Sequence, residues 1–338
     1  MSINPQDNAN KTLITGASGY IGQRLALYLA NQGETVHVLV RNRAARQILN
    51  HPDIHLFEGD IQDLEAVHRA MNGCTHAYHV AGLARLAHKD PTLFYRTNVD
   101  GTKNLLQAAF DANVKKIVYT SSTAVIGPSL NKPMRESDPR IIGYDNDYEV
   151  SKQMAENLVK EFNARGLTGV IVSPSRVYGP GIATYSSGVN RFIYNFLRRG
   201  FYFVPTCDDI KSNYTYIDDV IHGHILAMLL GRGGEKYILG GENVSFGEFM
   251  RTIKMHAENK GYFIRLPKSV IKAVAMTAQA KAWTMNQSPE LTPKVVDRLF
   301  QNFSFSSEKA IAELGYSITP FDEGIRKTIV HLRNGSHA

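Results

Sequence analysis

The sequence predicts an α/β fold, a doubly wound parallel sheet followed by a smaller, mostly helical C-terminal lobe. Short β-rich apolar runs alternate with helical patterns through the first half of the chain, as parallel βαβ units require. A glycine-rich turn joins the first of these runs to the first helical pattern, and the regular alternation stops after Ser173. We therefore expect residues 1–175 to form the sheet domain and residues 176–338 the lobe, with later segments able to return to the sheet.

The elements of the first half follow from these patterns in chain order. The predicted strands are Thr12–Thr15, Thr35–Val40, Ile54–Phe57, His76–Val80, Lys116–Thr120 and Gly169–Ser173. The predicted helices, each long enough to cross one face of the sheet, are Ile21–Asn31, Leu64–Met71, Thr92–Ala112 and Tyr148–Arg165. The second half contains the segments Gly188–Arg199, Asp218–Leu230, Lys236–Leu239, Phe246–Glu258 and a helical tail that ends near Leu332. Ligands of such sheets bind beyond the carboxyl ends of the strands, so a lobe over that edge is expected to select the substrate.

The composition is that of an ordinary globular protein. The chain has 338 residues, 43% of them hydrophobic and 20% charged, which excludes a disordered chain and a small disulfide scaffold. The net charge of +7 suits an anionic ligand, but the densest basic cluster is only Arg41, Arg43 and Arg46, so we expect no nucleic-acid binding. Cys74 and Cys207 lie outside any CxxC pair, which predicts free thiols in a reducing cytoplasm.

Targeting, membrane and metal signals are weak. The segment Met1–Lys11 is polar, so no signal peptide is expected. The apolar stretch Ser269–Met285 is broken by Lys272, Gln279 and Lys281, and it is interpreted as an amphipathic helix rather than a membrane span. A peripheral membrane contact at this helix stays open as an alternative. The two histidine pairs with ligand-like spacing are His51 with His55 and His222 with His224, and neither pattern predicts a metal site.

The strongest motif is the glycine turn between the first strand and the first helix. Gly16, Gly19 and Gly22 stand three residues apart, with Ser18, Tyr20 and Ile21 between them. Gly16 permits a tight exit from the strand, Gly19 lets backbone approach a pyrophosphate, and Gly22 allows close packing of helix on strand. Because the turn opens a helix whose N-terminus attracts anions, the motif predicts dinucleotide binding.

The end of the second strand indicates which dinucleotide is bound. A site for NAD usually places an acidic residue there for the ribose hydroxyls, whereas this chain has Arg41. A guanidinium suits a 2′-phosphate, so NADPH is favoured over NADH. Asp60, after the third strand, accepts a hydrogen bond from the adenine amine or serves as an ordinary turn residue, and both readings stay open.

A tyrosine and a lysine provide the candidate chemistry. Tyr148 and Lys152 are four residues apart on a predicted helix, so their side chains face the same way. A nearby ammonium is expected to lower the pKa of a tyrosine toward the working pH, which suits it to exchange a proton with a carbonyl or alcohol oxygen. The hydroxyl run Thr120–Thr123 ends the fifth strand at the same expected crevice, where Ser122 can hydrogen-bond a substrate oxygen.

Taken together, these motifs resemble the extended short-chain dehydrogenase/reductases, a family with a Rossmann-type fold. The supporting segments are Thr15–Gly22, Gly59–Ile61, His79–Gly82, Asn98–Thr102, Tyr148–Lys152 and Tyr178–Gly181. The resemblance implies that Tyr148 is the catalytic acid/base, Lys152 its partner and Ser122 the residue that orients the carbonyl, with Thr123 as the substitute. It also implies a homodimer formed through helices Thr92–Ala112 and Tyr148–Arg165.

The same resemblance implies a set of cofactor contacts in addition to Tyr148 and Lys152. These are Gly16, Ser18, Gly19, Tyr20, Ile21, Gly22, Arg41, Asp60, Ile61, Val80, Ala81, Gly82, Thr120, Pro174 and Val177. Within the family, the segments near His79, Asn213, Tyr237 and Phe305 are most similar to the dihydroflavonol-reductase-like and aldehyde-reductase branch, which borders the 3β-hydroxysteroid dehydrogenases.

Nucleotide-sugar epimerases share the fold and the Tyr/Lys pair, so only substrate positions separate the two activities. Where those enzymes usually carry Asn and a diphosphate-binding Arg, this chain has Arg176 and Ser212, although Lys211 is able to substitute. A carbonyl reductase is therefore favoured over an epimerase, with Thr123, Arg176 and Tyr178 as candidate substrate contacts. A protein that binds NADP(H) without turnover is the third possibility.

Aromatic residues of the lobe bear on the substrate. They are Tyr185, Phe192, Tyr194, Phe196, Phe201, Tyr202, Phe203 and Tyr214. Such rings form either an ordinary core or the lining of a pocket for an apolar or aromatic carbonyl compound. The lining interpretation favours an aromatic or lipid-like substrate.

Overall fold

The computed structural model describes residues 11–258, 261–289 and 291–334 of the chain. The expectation of no signal peptide concerns residues 1–10, which lie outside this part. Seven parallel strands form one sheet: β1 (Lys11–Thr15), β2 (Thr35–Val40), β3 (Ile54–Glu58), β4 (His76–His79), β5 (Lys116–Thr120), β6 (Gly169–Pro174) and β10 (Lys236–Leu239). Their order across the sheet is β10-β6-β5-β4-β1-β2-β3.

Helices cover both faces of this sheet. On one face lie α1 (Tyr20–Asn31), α7 (Ile217–Leu230) and α11 (Glu308–Leu314); on the other lie α2 (Leu64–Met71), α4 (Gly101–Asp111) and α5 (Asp147–Ala164). Successive strand residues alternate between the two layers, since Ile14 packs in the first core and Leu13 in the second. The predicted doubly wound sheet is thereby confirmed.

The direction in which successive strands are added to the sheet reverses between β1 and β4. The chain runs outward from β1 through β2 to β3, then returns to pair β4 with the other side of β1. Ligand-binding crevices form at such reversals, outside the carboxyl ends of the strands. The loops after β1, β4, β5 and β6 therefore surround one location.

The strand β10 comes from the second half of the chain but extends the first sheet. It pairs in parallel with β6, with Lys236 opposite Ile171 and Leu239 opposite Pro174. Helix α7 precedes it and packs on the sheet, so residues 217–239 belong structurally to the sheet layer. The sheet layer thus draws on segments from both sides of residue 175.

The second lobe contains two small sheets and several helices. Its strands are β7 (Arg176–Tyr178), β8 (Phe201–Pro205), β9 (Lys211–Tyr216), β11 (Glu242–Ser245) and β12 (Tyr262–Leu266), and its helices are α6 (Gly188–Arg199), α8 (Phe246–Ala257), α9 (Lys268–Thr284), α10 (Pro293–Arg298) and α12 (Phe321–Arg333). An aromatic core that includes Phe196, Tyr214 and Phe249 joins α6, α8 and α12 to the β9 sheet. Asp219 of α7 accepts hydrogen bonds from the backbone N–H and hydroxyl of Thr319, which fixes the C-terminal tail to the sheet layer.

The helix predicted over Thr92–Ala112 is interrupted. It consists of α3 (Thr92–Tyr95), a π-helical turn (Arg96–Asp100) and α4. The side chain of Asn98, within the π turn, accepts from the N–H of Leu83 at 2.7 Å and donates to Ser151 Oγ at 2.9 Å. Such turns are frequent at functional sites, and this one ties the loop after β4 to helix α5.

Helix α9 confirms the predicted helix over Ser269–Met285. In its described residues, Ala275 is the one buried side chain, whereas Val274, Met276 and Trp283 are exposed. No helix within residues 11–258, 261–289 and 291–334 is both long enough and apolar enough to cross a membrane.

Candidate active site

The glycine turn after β1 is closely packed against the loop after β4. Gly16 has a φ of 75°, and a Cβ atom placed on it would lie 2.5 Å from the backbone nitrogen of Ala81. A Cβ on Gly22 would overlap the carbonyl of Gly16. Both positions therefore require glycine, for reasons of backbone conformation and of space.

This turn leads directly into the N-terminus of α1. Gly19 precedes the helix in an extended conformation without a side-chain cap, and the first turn of the helix has no acidic residue. Backbone N–H groups of a helix start attract anions, so the turn with Ser18, Tyr20 and Ile21 fits a dinucleotide pyrophosphate. The side chain of Tyr20 is occupied elsewhere, since its hydroxyl donates to the carbonyl of Gly179 at 2.6 Å.

Three further predicted cofactor positions lie at the ends of β2 and β3. Arg41 directly follows β2 and is exposed, so its guanidinium is available to a ligand. Asp60 accepts the N–H of Gln62 at 2.9 Å, which is the turn interaction named above as the alternative. Ile61 is buried, and a Cβ on Gly101 would lie 2.7 Å from its side chain, so Ile61 packs the loop onto α4.

The loop after β4 lies between the glycine turn and the catalytic helix. Val80 and Ala81 are half-buried, and a Cβ on Gly82 would lie 3.2 Å from Lys152 Nζ. His79 is fully buried between Thr15 Oγ1 at 2.7 Å and Thr102 Oγ1 at 2.8 Å. Burial lowers the pKa of His79 to about 3, so this side chain is a neutral structural bridge.

The structure brings Ser122, Tyr148 and Lys152 together. Ser122 ends the β5 loop and hydrogen-bonds the side chain of Tyr148, which is the second residue of α5. Lys152 lies one turn further along α5, and its Nζ donates to the carbonyl of Thr120 at 2.7 Å and to Tyr119 Oη at 3.2 Å. The three side chains thus share the carboxyl edge of the sheet near the glycine turn.

The structure corrects the expected pKa of Tyr148. Burial raises that pKa, while the hydrogen bond from Ser122 and the positive charge of Arg298 oppose the rise. Burial also lowers the pKa of Lys152 to about 8, and the carboxylate of Glu156 opposes this change. Tyr148 is therefore held as a protonated group, because the ammonium of Lys152 is directed at Thr120 and Tyr119 instead.

Two buried carboxylates on α5 escaped the sequence analysis. Glu149 is fully buried and forms ion pairs with Arg140 at 2.5 Å and with Arg298 of α10. Since Arg298 also acts on the pKa of Tyr148, the second lobe reaches the catalytic helix here. The available sequence signal was a Glu directly after the tyrosine. Its partners Arg140 and Arg298 are 9 and 149 residues away, so the sequence did not indicate that it is buried.

The second buried carboxylate is Glu156. Its Oε1 accepts from Ser121 Oγ at 2.6 Å, and its Oε2 forms an ion pair with Lys236 of β10. Ser121 directly precedes Ser122, and Glu156 lies one helical turn after Lys152. Glu156 therefore links Ser121 and the edge strand β10 to the helix that carries Lys152.

The remaining predicted cofactor and substrate residues lie at the end of β5 and at the ends of β6 and β7. Thr123 is buried behind Ser122, and the hydroxyl of Thr120 contacts His224 Nε2 at 2.8 Å rather than the crevice. Pro174 ends β6 in a fully buried position and Val177 is half-buried in β7.

Of the candidate substrate contacts in β7, Arg176 is half-buried, and its guanidinium lies 6.0 Å from the ring centre of Tyr214. Tyr178 is fully buried against Tyr216 and Phe321. Packing in the lobe core occupies the ring, and a contact of this residue with the substrate stays a prediction.

A cavity of about 770 Å³ lies at the start of helix α5. Its wall includes Asn146 and Asp147, which directly precede Tyr148, together with Arg298 and Trp283. Among the described residues, its lining contains none of the eight predicted aromatic residues. Phe192, Phe196, Tyr202 and Tyr214 instead pack in or against the lobe core, and Phe201 and Phe203 are exposed.

Cysteine and metal predictions concern residues away from this cavity. Cys74 and Cys207 are both free and buried, as the sequence predicts. His222 is exposed and His224 is buried, so the pair faces different sides of α7. In the part of the chain that the structure describes, no group of three or more His, Cys, Asp or Glu side chains could hold a metal ion.

A doubly wound sheet with a glycine turn and a Tyr/Lys pair at its carboxyl edge defines a class of enzymes that use a nicotinamide dinucleotide. Comparison with known proteins gives the family. The model of the NAD dependent epimerase/dehydratase family matches residues 12–240, and the chain belongs to this family.

Several curated relatives match over nearly the whole chain. A Synechocystis protein, provisionally named a dihydroflavonol 4-reductase, is 29% identical over 95% of this chain and 94% of its own. A 3-beta-hydroxysteroid dehydrogenase of Mycolicibacterium neoaurum is 28% identical over 90% of this chain and 86% of its own. A 4-hydroxy-2-methyl-3-oxo-4-farnesyl-3,4-dihydroquinoline-1-oxide ketoreductase of Stigmatella aurantiaca is 28% identical over 91% of this chain and 92% of its own. These names match the branch that the sequence motifs predict.

Solved structures match the whole architecture. The crystal structure of gox2253 has a TM-score of 0.78 and 31% identity, covering 97% of this chain and 99% of its own. UDP-glucose 4-epimerase of Thermus thermophilus, in complex with NAD, has a TM-score of 0.77 and 24% identity over 96% of this chain and 99% of its own. The second likeness establishes the fold alone.

Proposed function

We propose that this protein is an NADPH-dependent carbonyl reductase, which reduces an aldehyde or a ketone to an alcohol. The observation that carries the proposal is the arrangement of Ser122, Tyr148 and Lys152 at the carboxyl edge of the sheet, with substrate positions that depart from the sugar-nucleotide pattern. Bound NADPH supplies the hydride that reduces the carbonyl carbon.

The side chains of the chain manage the proton and the carbonyl oxygen. Tyr148 donates its hydroxyl proton to the oxygen as negative charge develops there, and its raised pKa keeps this proton available. Ser122 hydrogen-bonds Tyr148 and orients the same oxygen. Lys152, fixed to Thr120, is close enough to the Gly82 loop to hold the nicotinamide ribose, and its positive charge lies one helical turn after Tyr148.

The residues that would hold NADPH fit its parts in order along the sheet edge. Gly16, Gly19 and Gly22 would hold the pyrophosphate, because side chains there would fill the cradle. The exposed Arg41 suits the 2′-phosphate, since a guanidinium binds phosphate through a planar pair of donors. Pro174 and Val177 would flank the nicotinamide.

Arg176 and Ser212 stand where nucleotide-sugar epimerases usually carry Asn and a diphosphate-binding Arg, which favours reduction over epimerisation of a nucleotide sugar. Ser212 is buried and its hydroxyl bonds to Tyr214, so it offers no charge to a diphosphate. Lys211 precedes it and is exposed at the start of β9. The names of the curated relatives, a hydroxysteroid dehydrogenase and a ketoreductase, agree with a carbonyl substrate for this chain.

The size and lining of the cavity bear on the substrate. None of the eight lobe aromatics lines this cavity, and Trp283 is the ring that supports an apolar or aromatic substrate there. Polar groups surround it, including Asn146, Asp147 and Gln279. We propose a substrate with an apolar body and polar substituents near the carbonyl group.

The proposal is tested by incubating the purified protein and its Tyr148→Phe variant with NADPH and a panel of carbonyl compounds. The panel contains aromatic aldehydes, ketosteroids, β-keto acids and nucleotide sugars, and both NADPH consumption and products are measured. NADPH consumption with an alcohol product, lost in the variant, is expected. Conversion of a nucleotide sugar without net NADPH consumption would identify an epimerase instead. Tight NADPH binding without turnover on any member would identify a non-catalytic binding protein.

A further inference from the structure

Helix α9 presents an unusual amount of apolar surface to solvent. Val270, Val274, Met276 and Trp283 are 43%, 52%, 63% and 67% exposed, and Met285, directly after the helix, is 53% exposed. At 100° per residue, these four helical side chains lie on one arc of about half the helix circumference, whereas Ala275 lies on the opposite, buried side. Val270 and Val274 lie at one end of this arc and Met276 and Trp283 at the other, with exposed alanines and threonines between them. Exposed apolar side chains grouped on one side of a helix mark an interaction site.

The charges of α9 indicate what kind of partner fits. The helix contains Lys268, Lys272 and Lys281 and has no Asp or Glu. Lys268 and Lys272 contact Asp297 of α10 at 2.8 and 2.9 Å, while Lys281 lies on the exposed arc. Exposed apolar side chains with a lysine and a tryptophan are typical of helices that lie in the interface of an anionic bilayer. A second copy of this chain would bring Lys281 against Lys281, with no acidic residue on either arc.

The C-terminal end of α9 also forms a wall of the cavity at the start of α5. Gln279 and Trp283 line the cavity from the helix, and Asn286 and Gln287 continue this wall in the following loop. The opposite wall includes Asp147, which directly precedes Tyr148. A surface that covered the exposed arc of α9 would therefore lie next to the cavity.

We propose that α9 binds the surface of an anionic lipid bilayer, with its apolar arc in the headgroup region and the cavity beside the lipid. The geometry suits delivery of a membrane-dissolved carbonyl compound to the cavity without passage through water. The bilayer contact stands on α9 alone, whereas its link to catalysis rests on the proposed function.

Vesicle binding by the full-length protein tests the contact. Trp283 is the single tryptophan of the chain, so tryptophan emission reports on α9 alone. We expect a blue shift of this emission, and sedimentation of the protein, with vesicles of phosphatidylcholine containing about a third phosphatidylserine. Binding is expected to be weak with pure phosphatidylcholine and to fall as salt screens the lysines. Absence of both signals with anionic vesicles would overturn the proposal.

A matched pair of variants locates the contact. Val274→Asp/Met276→Asp places charges on the arc at residues outside the cavity wall, and we expect about a tenfold loss of vesicle binding. The control is Val330→Asp/Met255→Asp, because these side chains are 49% and 62% exposed on other helices. Equal vesicle binding by the two variants would overturn the proposal.

Two further outcomes separate the contact from its alternatives. A dimer in light scattering that the Val274→Asp/Met276→Asp variant abolishes, with no vesicle binding by the wild type, would assign the arc to a second copy of the chain and overturn the proposal. Vesicle binding by a protein that reduces no carbonyl compound would support the contact and refute the proposed function. Turnover of a water-soluble carbonyl is expected to be equal in the wild type and both variants.

Discussion

The Nζ atom of Lys152 donates a hydrogen bond of 2.7 Å to the main-chain carbonyl of Thr120, the last residue of β5. This bond joins the catalytic helix to the strand whose loop carries Ser122. Because Ser122 also hydrogen-bonds Tyr148, the serine, the tyrosine and the lysine form one connected unit. These two hydrogen bonds therefore fix the relative positions of the three side chains.

Removal of the Tyr148 hydroxyl should abolish most activity without affecting cofactor affinity. We expect Tyr148→Phe to lower kcat by about 10²–10⁴-fold, because the substrate oxygen loses its proton donor. Dissociation of NADPH, measured by fluorescence titration, should change little. Tyr144→Phe is the control, since Tyr144 lies in the loop before α5 and is exposed. Normal turnover by Tyr148→Phe would contradict the assigned role.

The rate of carbonyl reduction should decrease as the pH rises above about 8. Burial raises the pKa of Tyr148, so the tyrosine keeps its proton as the pH rises. Burial lowers the pKa of Lys152 to about 8, so the lysine loses its positive charge as the pH rises through that value. The profile of kcat/KM against pH should therefore show an alkaline limb near pH 8. A constant rate up to pH 10 would show that the charge of Lys152 is not required.

Neutralising Glu156 should move that alkaline limb. Its carboxylate raises the pKa of Lys152 against the effect of burial, so Glu156→Gln should shift the limb to lower pH. A role confined to packing would lower stability and leave the limb in place. Glu161→Gln, at an exposed position of the same helix, is the control and should leave both unchanged.

The local elements were predictable from the sequence because each depends on residues close in the chain. The strand Thr35–Val40 begins and ends where predicted, and helix Leu64–Met71 follows the cap residue Asp63, whose side chain accepts the N–H of Glu65. The glycine turn was likewise recognisable, since its spacing reflects backbone geometry at one site. These features need no information about distant contacts.

Features that depend on distant segments were not predictable. Strand β10 joins the first sheet by pairing with β6, some 65 residues earlier in the chain, and nothing within Lys236–Leu239 indicates that partner. The π turn at Asn98 depends on contacts with Leu83 and Ser151, and the burial of Glu149 depends on Arg298. The predicted pKa shift of Tyr148 was wrong for the same reason. Burial raises this pKa, and only the fold determines where the ammonium of the neighbouring Lys152 points.

Arg41 should decide the preference for NADPH. We expect Arg41→Ala to weaken NADPH binding by about tenfold, because a charge-assisted contact with the 2′-phosphate is lost. NADH lacks that phosphate and serves as the internal control, so its dissociation constant should stay the same. Both constants are measured by fluorescence titration. An equal loss for the two cofactors would show that Arg41 supports the loop rather than the phosphate.

Gly16 should tolerate no side chain, and Gly33 is the control that separates the effect of backbone conformation from the effect of limited space. Both residues have positive φ, 75° and 82°, so alanine at either position is expected to cost about 1 kcal/mol of unfolding free energy. A Cβ on Gly33 meets nothing within 4 Å, whereas one on Gly16 would lie 2.5 Å from the Ala81 nitrogen. Gly16→Ala should therefore lose more stability than Gly33→Ala in urea unfolding, and it alone should lose cofactor binding because the cradle is displaced. Equal destabilisation with intact binding in both variants would show that the contact between the two loops does not shape the cofactor site.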